Sequence, residues 1–191
     1  MRSQAVIPLV ALMLAAQFCC CSTAIGGPQP PYVITPSDEA IQRFQERWNT
    51  VVDQSLDGSF TITLTEEEMT SIAVRMLARQ VDPPPISDLQ VHFGDQRIEV
   101  YATVTVQDSL PLPGMIAFST RATDGGISVS VEEAAFGPLP IPDSVLEAST
   151  DALNDLISES VEAEIEHASI TGIQIGEEEM TITGTISPTP P

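Results

Sequence analysis

Lysine is absent from this chain, and all seven basic residues are arginines. They stand against 27 acidic residues, which gives a formal net charge of -20 at pH 7. Such a surface repels phosphate, so nucleic-acid binding and the docking of a basic patch on anionic lipid headgroups are both disfavoured. The charge favours a solubilising role for the surface, with an acidic patch for a cationic partner as the alternative.

Cysteine is missing from all of the sequence beyond residue 21, because the three cysteines are consecutive at positions 19 to 21. We therefore expect no disulfide and no thiolate metal ligand in the mature domain. Aromatic residues are also scarce, at 5% of the chain. Paired carboxylates are plentiful, but a glycosidase usually adds aromatic platforms for the sugar, and this chain has few.

The amino terminus carries the one long apolar run, which extends from Ala5 to Phe18 behind Arg2. It is shorter than the roughly 20 residues that a spanning helix needs, and it is typical of a signal peptide. The sequence that follows it resembles a bacterial lipobox, with Cys21 as the lipidated residue. We expect export and anchoring to the cell envelope, and ordinary secretion or an uncleaved anchor are the alternatives.

Composition shifts predict the domain organisation. Residues 1–21 form the signal peptide, and residues 22–36, which include Gly26, Gly27 and Pro28, form a flexible tether. Residues 37–187 form one domain, and residues 188–191 form a Pro-rich tail.

Periodicity predicts an α+β domain. Ser37 is placed to cap a first helix, and Thr65 with Glu68 forms the capping-box pattern of a second. Clean alternation of apolar and polar residues predicts about six strands, most clearly over residues 97–106. A third and longest helix is predicted over about residues 142–163, in the carboxyl-terminal half. The strands should form an antiparallel sheet with one face covered by these helices.

Catalytic motifs are absent. His92 and His167 are the only imidazoles, and no nucleophile elbow, phosphate-binding loop or zinc-binding helix accompanies them. Glu177, Glu178 and Glu179 predict a solvated hairpin turn rather than a calcium site, because no calcium-loop pattern is present. We therefore expect a protein that is not an enzyme and that needs no cofactor or metal.

The second half of the chain is similar to the LmeA-like phospholipid-binding proteins, which are exported envelope domains related to the tubular lipid-binding superfamily. The similarity lies in a Pro-rich linker at Pro138–Pro142, an amphipathic segment from Val145 to Val161, and a closing hairpin from Ile173 to Gly184. The segment from Thr63 to Leu77 resembles the family's early helix. This resemblance implies a long helix lying against a curved sheet, with an apolar groove for a phospholipid and no catalytic residues.

Two functions follow as expectations. In the first, the domain binds a phospholipid or another fatty-acyl ligand without catalysis, and the membrane is reached through the lipid anchor. The second is a tethered surface interaction or scaffold module with a solid core and an envelope protein as its partner. Candidate residues for the lipid groove are Met69, Ile72, Met76, Val104, Val106, Leu153 and Ile157.

Overall fold

The computed structural model describes residues 26–55, 58–80, 85–106, 110–123, 126–142, 145–147, 150–151, 154 and 168–186. The predicted signal peptide, its lipidated Cys21 and the Pro-rich tail lie outside these residues, as does most of the predicted long helix. The domain boundaries therefore stay predictions.

Two helices and eight strands follow one another along the described chain. They are α1 (Asp38–Gln54), β1 (Ser59–Thr65), α2 (Glu66–Ala78), β2 (Ile86–Gly94), β3 (Arg97–Val106), β4 (Leu110–Thr123), β5 (Gly126–Phe136), β6 (Leu139–Pro140), β7 (Ala168–Ile175) and β8 (Glu179–Ile186). Further helical residues lie at 145–147, 150–151 and 154.

The predicted α+β architecture is wrong. It consisted of one curved sheet of about six strands, covered on one face by a long helix and two N-terminal helices. Of the described residues, 52% are in strands and 28% in helices, and no long carboxyl-terminal helix is present among them. The strands form two antiparallel sheets, in the orders β1-β8-β7 and β2-β3-β4-β5-β6. Alternation identified the strands, but strand partners are chosen by long-range contacts, which a local pattern does not contain.

The two N-terminal helices begin where their capping residues predict. The Ser37 side chain accepts a hydrogen bond from the backbone N–H of Ala40 at the start of α1. At α2, Thr65 and Glu68 form a complete capping box, which satisfies two backbone N–H groups at once. Within the described ranges, no helix combines the length and the apolar character that crossing a membrane requires.

The main core lies where the two sheets and the two helices meet. Its buried residues are Phe60, Ile62, Leu64, Val91, Phe93, Ile98 and Met180. These come from β1, β2, β3 and β8, and side chains of α1 and α2 such as Trp48 and Met69 pack against them. The helices thus pack at the side of β1 and β2 instead of covering one broad sheet face.

Strand β4 is longer than its sequence indicates, because Pro111 and Pro113 belong to it. Both prolines pair in register with β3, opposite Thr105 and Thr103. The pairing of β4 with β5 reaches only to Gly114, so the prolines lie where β4 has a strand on one side alone. A proline is tolerated at such an edge because its missing N–H removes no hydrogen bond between strands.

Helix side chains cover two stretches of the five-stranded sheet that have no outer strand: β2, and the part of β5 that β6 does not reach, since β6 pairs only with Ala135 and Phe136. On β2, Thr70 accepts a hydrogen bond from the N–H of Val91 at 2.9 Å. On β5, the amide of Asn154 accepts from the N–H of Val129 and donates to its carbonyl, both at 2.8 Å. Free strand edges promote aggregation, so these side chains satisfy the backbone and block further pairing.

Candidate functional site

A row of half-buried apolar residues crosses one face of the five-stranded sheet. Residues directly opposite each other on antiparallel strands share a face, and the register pairs Val100 with Ile116, Val104 with Leu112, and Ile98 with Phe118. We define the apolar row as Val100, Ala102, Val104, Leu112, Ile116 and Phe118. All six side chains retain intermediate exposure.

Packing covers the apolar row at its two sides. Val100 and Phe118 pack against the main core. On the other side, Val131, Ala134 and Leu146 form a second buried cluster, against which Ile116 and Phe118 pack. A bulge in β5 at Glu132 keeps Val131 and Ala134 on the same face, although they are three positions apart. The middle of the row is therefore the part with the least cover among the described residues.

The predicted groove residues do not all share this face. Val104 belongs to the apolar row, whereas Met69 and Ile72 of α2 pack against the main core. Met76 is 66% exposed. The backbone of Val106 pairs with Leu110, and nothing further is described of its side chain. Leu153 and Ile157 lie outside the described residues.

The residues that line the other clefts of the described surface are mainly polar or charged types. One of about 570 Å³ is lined by Tyr32, two arginines and the glutamates Glu66, Glu67, Glu68, Glu178 and Glu179. Another, of about 560 Å³, lies between β4, β5 and β7 and is lined largely by serine and threonine residues. Few of the residues that line either cleft have apolar side chains, which are the lining that a lipid tail needs.

On β2, the face opposite the core residues Val91 and Phe93 carries a buried polar cluster around His92. Only 2% of His92 is exposed, and Glu66, 5% exposed, places a carboxylate oxygen 3.6 Å from its Nδ1. The rings of Tyr32 and Tyr101 meet the imidazole edge to face, with centroids at 4.7 and 5.7 Å. Among the described residues, neither imidazole nitrogen has a hydrogen-bond partner.

Glu66 organises this cluster from the first turn of α2. Its carboxylate accepts a hydrogen bond from the hydroxyl of Tyr32, and it accepts another from the N–H of Phe93 at 2.6 Å. Alongside, the side-chain amide of Gln90 accepts from the N–H of Ile34 at 2.6 Å and donates to its carbonyl at 3.1 Å. These contacts attach Tyr32 and Ile34, from the segment predicted to be a tether, to the folded domain.

Burial and hydrogen bonds to glutamates set the electrostatics of the cluster. Burial lowers the pKa of His92, against the opposing effect of the charges on Glu66 and Glu99. The hydrogen bond to Glu66 is the main factor that raises the pKa of Tyr32 to about 12. Burial, followed by the hydrogen bond to Glu99, raises the pKa of Tyr101 to about 12. All three side chains are therefore neutral near pH 7.

The contacts of this cluster pack the imidazole and attach the amino-terminal segment to the domain. Its imidazole has no serine, threonine or cysteine as a hydrogen-bonded partner to activate within the described chain. Sequence reasoning placed His92 on the polar side of a strand but could not show that this side is buried. The one available signal was the pair of tyrosines, Tyr32 and Tyr101, in a chain that contains only two.

No family model matches this chain, and no curated protein is significantly similar to it.

Proposed function

We propose that this chain is an exported envelope protein, tethered through Cys21, whose folded domain binds a phospholipid or another amphiphile without catalysis. The observation that carries the proposal is the apolar row on β3 and β4, whose six side chains are only half-buried. Hydrophobic side chains left on a broad face of a sheet lose free energy unless something apolar covers them. An acyl chain is a suitable cover because it requires length and apolarity rather than specific polar partners.

Burial of methylene groups would supply the free energy of binding. Each methylene group that moves from water onto an apolar surface contributes about 0.8 kcal/mol. The affinity would therefore depend on how many methylene groups the apolar row covers, set against the cost of immobilising the ligand. The amino-terminal leader supports the same proposal, since it suits a protein that works beside a membrane.

The test of binding is native mass spectrometry of the protein purified from its own membranes, followed by titration with a fluorescent fatty acid. A co-purified lipid and saturable uptake of the probe are expected. A protein that is purified without lipid and takes up no probe would overturn the proposal.

A matched pair of variants locates the binding surface. Val104→Asn places an amide in the apolar row, whereas Thr103→Asn changes the next residue of β3, which faces the other side of the sheet. We expect about a tenfold loss of probe affinity for the first, about 1.4 kcal/mol, and an unchanged affinity for the second. Thermal unfolding of both variants checks that they remain folded, and equal affinities would place the ligand elsewhere.

The second candidate is a tethered interaction module that holds an envelope protein. The observation in its favour is the cleft with five glutamates around Tyr32, in a chain whose net charge is -20. A pulldown from envelope extracts would compare the wild type with Glu178→Gln/Glu179→Gln. Loss of a captured cationic partner in that variant, together with a lipid-free wild type, would favour this function over lipid binding.

For the anchor itself, Cys21→Ser is expected to move the protein from the membrane fraction to the soluble extracytoplasmic fraction. A variant that stays in the membrane fraction would show that another residue or segment anchors it.

A further inference from the structure

The segment before α1 is attached to the domain at two separate places. We name residues 27–34 the strap. At its carboxyl-terminal end, Ile34 is buried and exchanges two hydrogen bonds with the side chain of Gln90 on β2. Tyr32 adds the ring contact and the hydrogen bond described above. This end of the strap is therefore fixed beside β2.

Gly27 fixes the other end of the strap. A Cβ added at Gly27 would lie 2.6 Å from Cγ of Pro113 and 3.0 Å from Cα of Gly137. The backbone of Gly27 thus packs directly on these two residues, which only a glycine permits. Pro113 lies near the start of β4, and Gly137 directly follows β5. The strap therefore begins at the end of the five-stranded sheet where β4 starts and β5 stops.

The chain between this contact and the predicted anchor is short. Gly27 lies six positions after Cys21. An extended chain spans at most about 3.6 Å per residue, so Gly27 lies within about 22 Å of Cys21, whatever the conformation between them. If Tyr32 were the first attached residue instead, the limit would be about 40 Å. In a protein anchored through Cys21, the contact at Gly27 therefore holds this end of the sheet near the bilayer.

The same end of the sheet exposes leucine side chains. Leu110, the first residue of β4, is 43% exposed, and Leu139 of β6 is 68% exposed. Leu110 shares the face of Leu112 in the apolar row, because alternate residues of a strand point the same way. Leu139 pairs with Phe136, which pairs with Gly114 on that same face. We name Leu110 and Leu139 the leucine rim, which extends the apolar row at its Leu112 end.

Two independent features thus meet at one end of the domain. Exposed leucines are common on soluble proteins, but these two lie where the anchored chain reaches the sheet. A short tether raises the effective concentration of the bilayer at that surface, so a weak contact can form. The net charge of -20 disfavours docking through anionic headgroups, which favours insertion of apolar side chains as the contact.

We propose that the strap holds the leucine rim against the bilayer that carries the anchor, with Leu110 and Leu139 at the boundary between headgroups and acyl chains. The apolar row then starts at the bilayer surface, and an acyl chain reaches it without crossing water. This inference rests on the proposed function, because it uses the anchor at Cys21 and names the bilayer as the source of the ligand.

Fluorescent labels at the two ends of β4 test the docking. The sequence beyond residue 21 has no cysteine, so Leu110→Cys gives the processed lipoprotein one free thiol for the fluorophore NBD. The matched control is Thr123→Cys, at the exposed last residue of β4, about 40 Å along the strand. Both anchored proteins are placed in phosphatidylcholine vesicles that contain lipids with a doxyl quencher near the headgroup. We expect about a twofold loss of emission for Leu110→Cys and none for Thr123→Cys.

Two neighbouring glycines test the strap. Gly27→Val must displace the strap from Pro113 and Gly137, whereas a Cβ at Gly26 meets nothing within 4 Å. Added to Leu110→Cys, Gly27→Val should restore most of the quenched emission, and Gly26→Val should leave the quenching unchanged. Thermal unfolding checks that both variants fold, and the comparison of the two labels stands even if Gly27→Val does not. Equal quenching in the two glycine variants would overturn the role of the strap.

The outcomes separate docking from ligand binding. Emission at Leu110→Cys that the doxyl lipids do not change, or equal losses at both labels, would overturn the docking and leave amphiphile binding to its own titration. A blue-shifted but unquenched emission would show that a second copy of the chain covers the rim, and it would also overturn the docking. Quenching at Leu110→Cys alone, in a protein that takes up no fluorescent fatty acid, would support the docking and overturn the proposed function.

Discussion

The side chains around His92 bury its imidazole, and this burial keeps it neutral. Tyr32 comes from the amino-terminal segment, Glu66 from α2, and Glu99 and Tyr101 from β3. Burial lowers the pKa of His92 from its ordinary value of 6.5, and the nearby carboxylates do not reverse this. The unfolded chain therefore takes up a proton at this position at a higher pH than the folded chain does.

The sign of the resulting pH dependence follows. The contribution of neutral His92 to stability is fully present above pH about 6.5 and is lost as the pH falls toward the lower folded-state pKa. We expect the free energy of unfolding to decrease between pH about 7.5 and about 5.5, by at most about 1.4 kcal/mol per pH unit from this one group. His92→Phe should flatten that decrease, as measured by urea unfolding at several pH values. An identical slope in wild type and variant would show that His92 does not titrate in this range.

Arg47 and Arg43 lie one turn apart on α1 but serve differently buried partners. Arg47 contacts both carboxylate oxygens of Glu68, at 2.8 and 2.6 Å, and Glu68 is 1% exposed. Burial by itself would raise the pKa of Glu68, but hydrogen bonds from Arg47 and Thr65 outweigh it and hold that pKa below its ordinary value. Arg43 pairs with Glu67, and both of these side chains are about half-exposed, at 50% and 43%.

The two arginines form a matched comparison. Arg47→Ala leaves a buried carboxylate without its charged partner, so we expect a loss of about 3 kcal/mol in the free energy of unfolding. Arg43→Ala should cost less than about 1 kcal/mol, because exposed ion pairs contribute little. Denaturant unfolding near pH 7 measures both. Similar losses for the two variants would contradict the difference in burial.

At the scale of elements, the edges of the sheet depend on individual helix side chains. Thr70 is fully buried and accepts from the N–H of Val91, itself 4% exposed. Thr70→Val keeps the shape of the side chain but leaves this N–H without an acceptor, which should cost about 1–3 kcal/mol. Thr70→Ser retains the hydroxyl and controls for the site, with a smaller loss from the missing methyl group. Equal destabilisation would show that the methyl group, not the hydrogen bond, matters.

A glycine in β8 sets the close contact of the three-stranded sheet. Gly184 lies opposite Phe60 in the register, and a Cβ at Gly184 would come within 2.5 Å of the Phe60 ring and of the Ser169 carbonyl oxygen. Gly184→Ala must therefore displace a core aromatic residue or the adjacent backbone of β7. We expect a loss of about 1–3 kcal/mol by thermal or denaturant unfolding. A neutral effect would indicate that the strands can separate at little cost.

At the scale of the whole molecule, the net charge of -20 is the dominant long-range feature. Repulsion among the acids opposes the compact state, and salt screens it with a Debye length of about 10 Å at 0.1 M. We expect the midpoint of thermal unfolding to rise as sodium chloride is increased from about 0.02 to about 0.3 M. A falling midpoint would show that ion pairs such as Arg47–Glu68 outweigh the overall repulsion.

Local patterns in the sequence predicted the local structure well. The starts of α1 and α2 follow from Ser37, Thr65 and Glu68, since a capping residue acts on the backbone of its own first turn. Alternation over residues 97–106 predicted β3 with its bounds. The same rules missed the start of β4, because Pro111 and Pro113 are read as breaks unless the edge position is known. They also missed the bulge at Glu132, which changes the phase of alternation in β5.

The site was less predictable than the elements. Of the groove residues predicted from periodicity, Val104 lies in the apolar row, whereas Met69 and Ile72 pack in the main core and Met76 is exposed. Helical periodicity identifies an apolar face but not what that face packs against. The burial of His92 depends on residues far away in the chain.

The sequence by itself determined the acidic surface, the cysteine-free domain, the capped helices and the strands, because each depends on composition or on neighbours a few positions apart. Only the tertiary structure decided that the strands divide into two sheets, that a face carrying Gln90 and His92 is buried, and that the apolar row stays half-buried. Strand partners and register are set by contacts between distant segments, and those contacts exist only once the chain has folded.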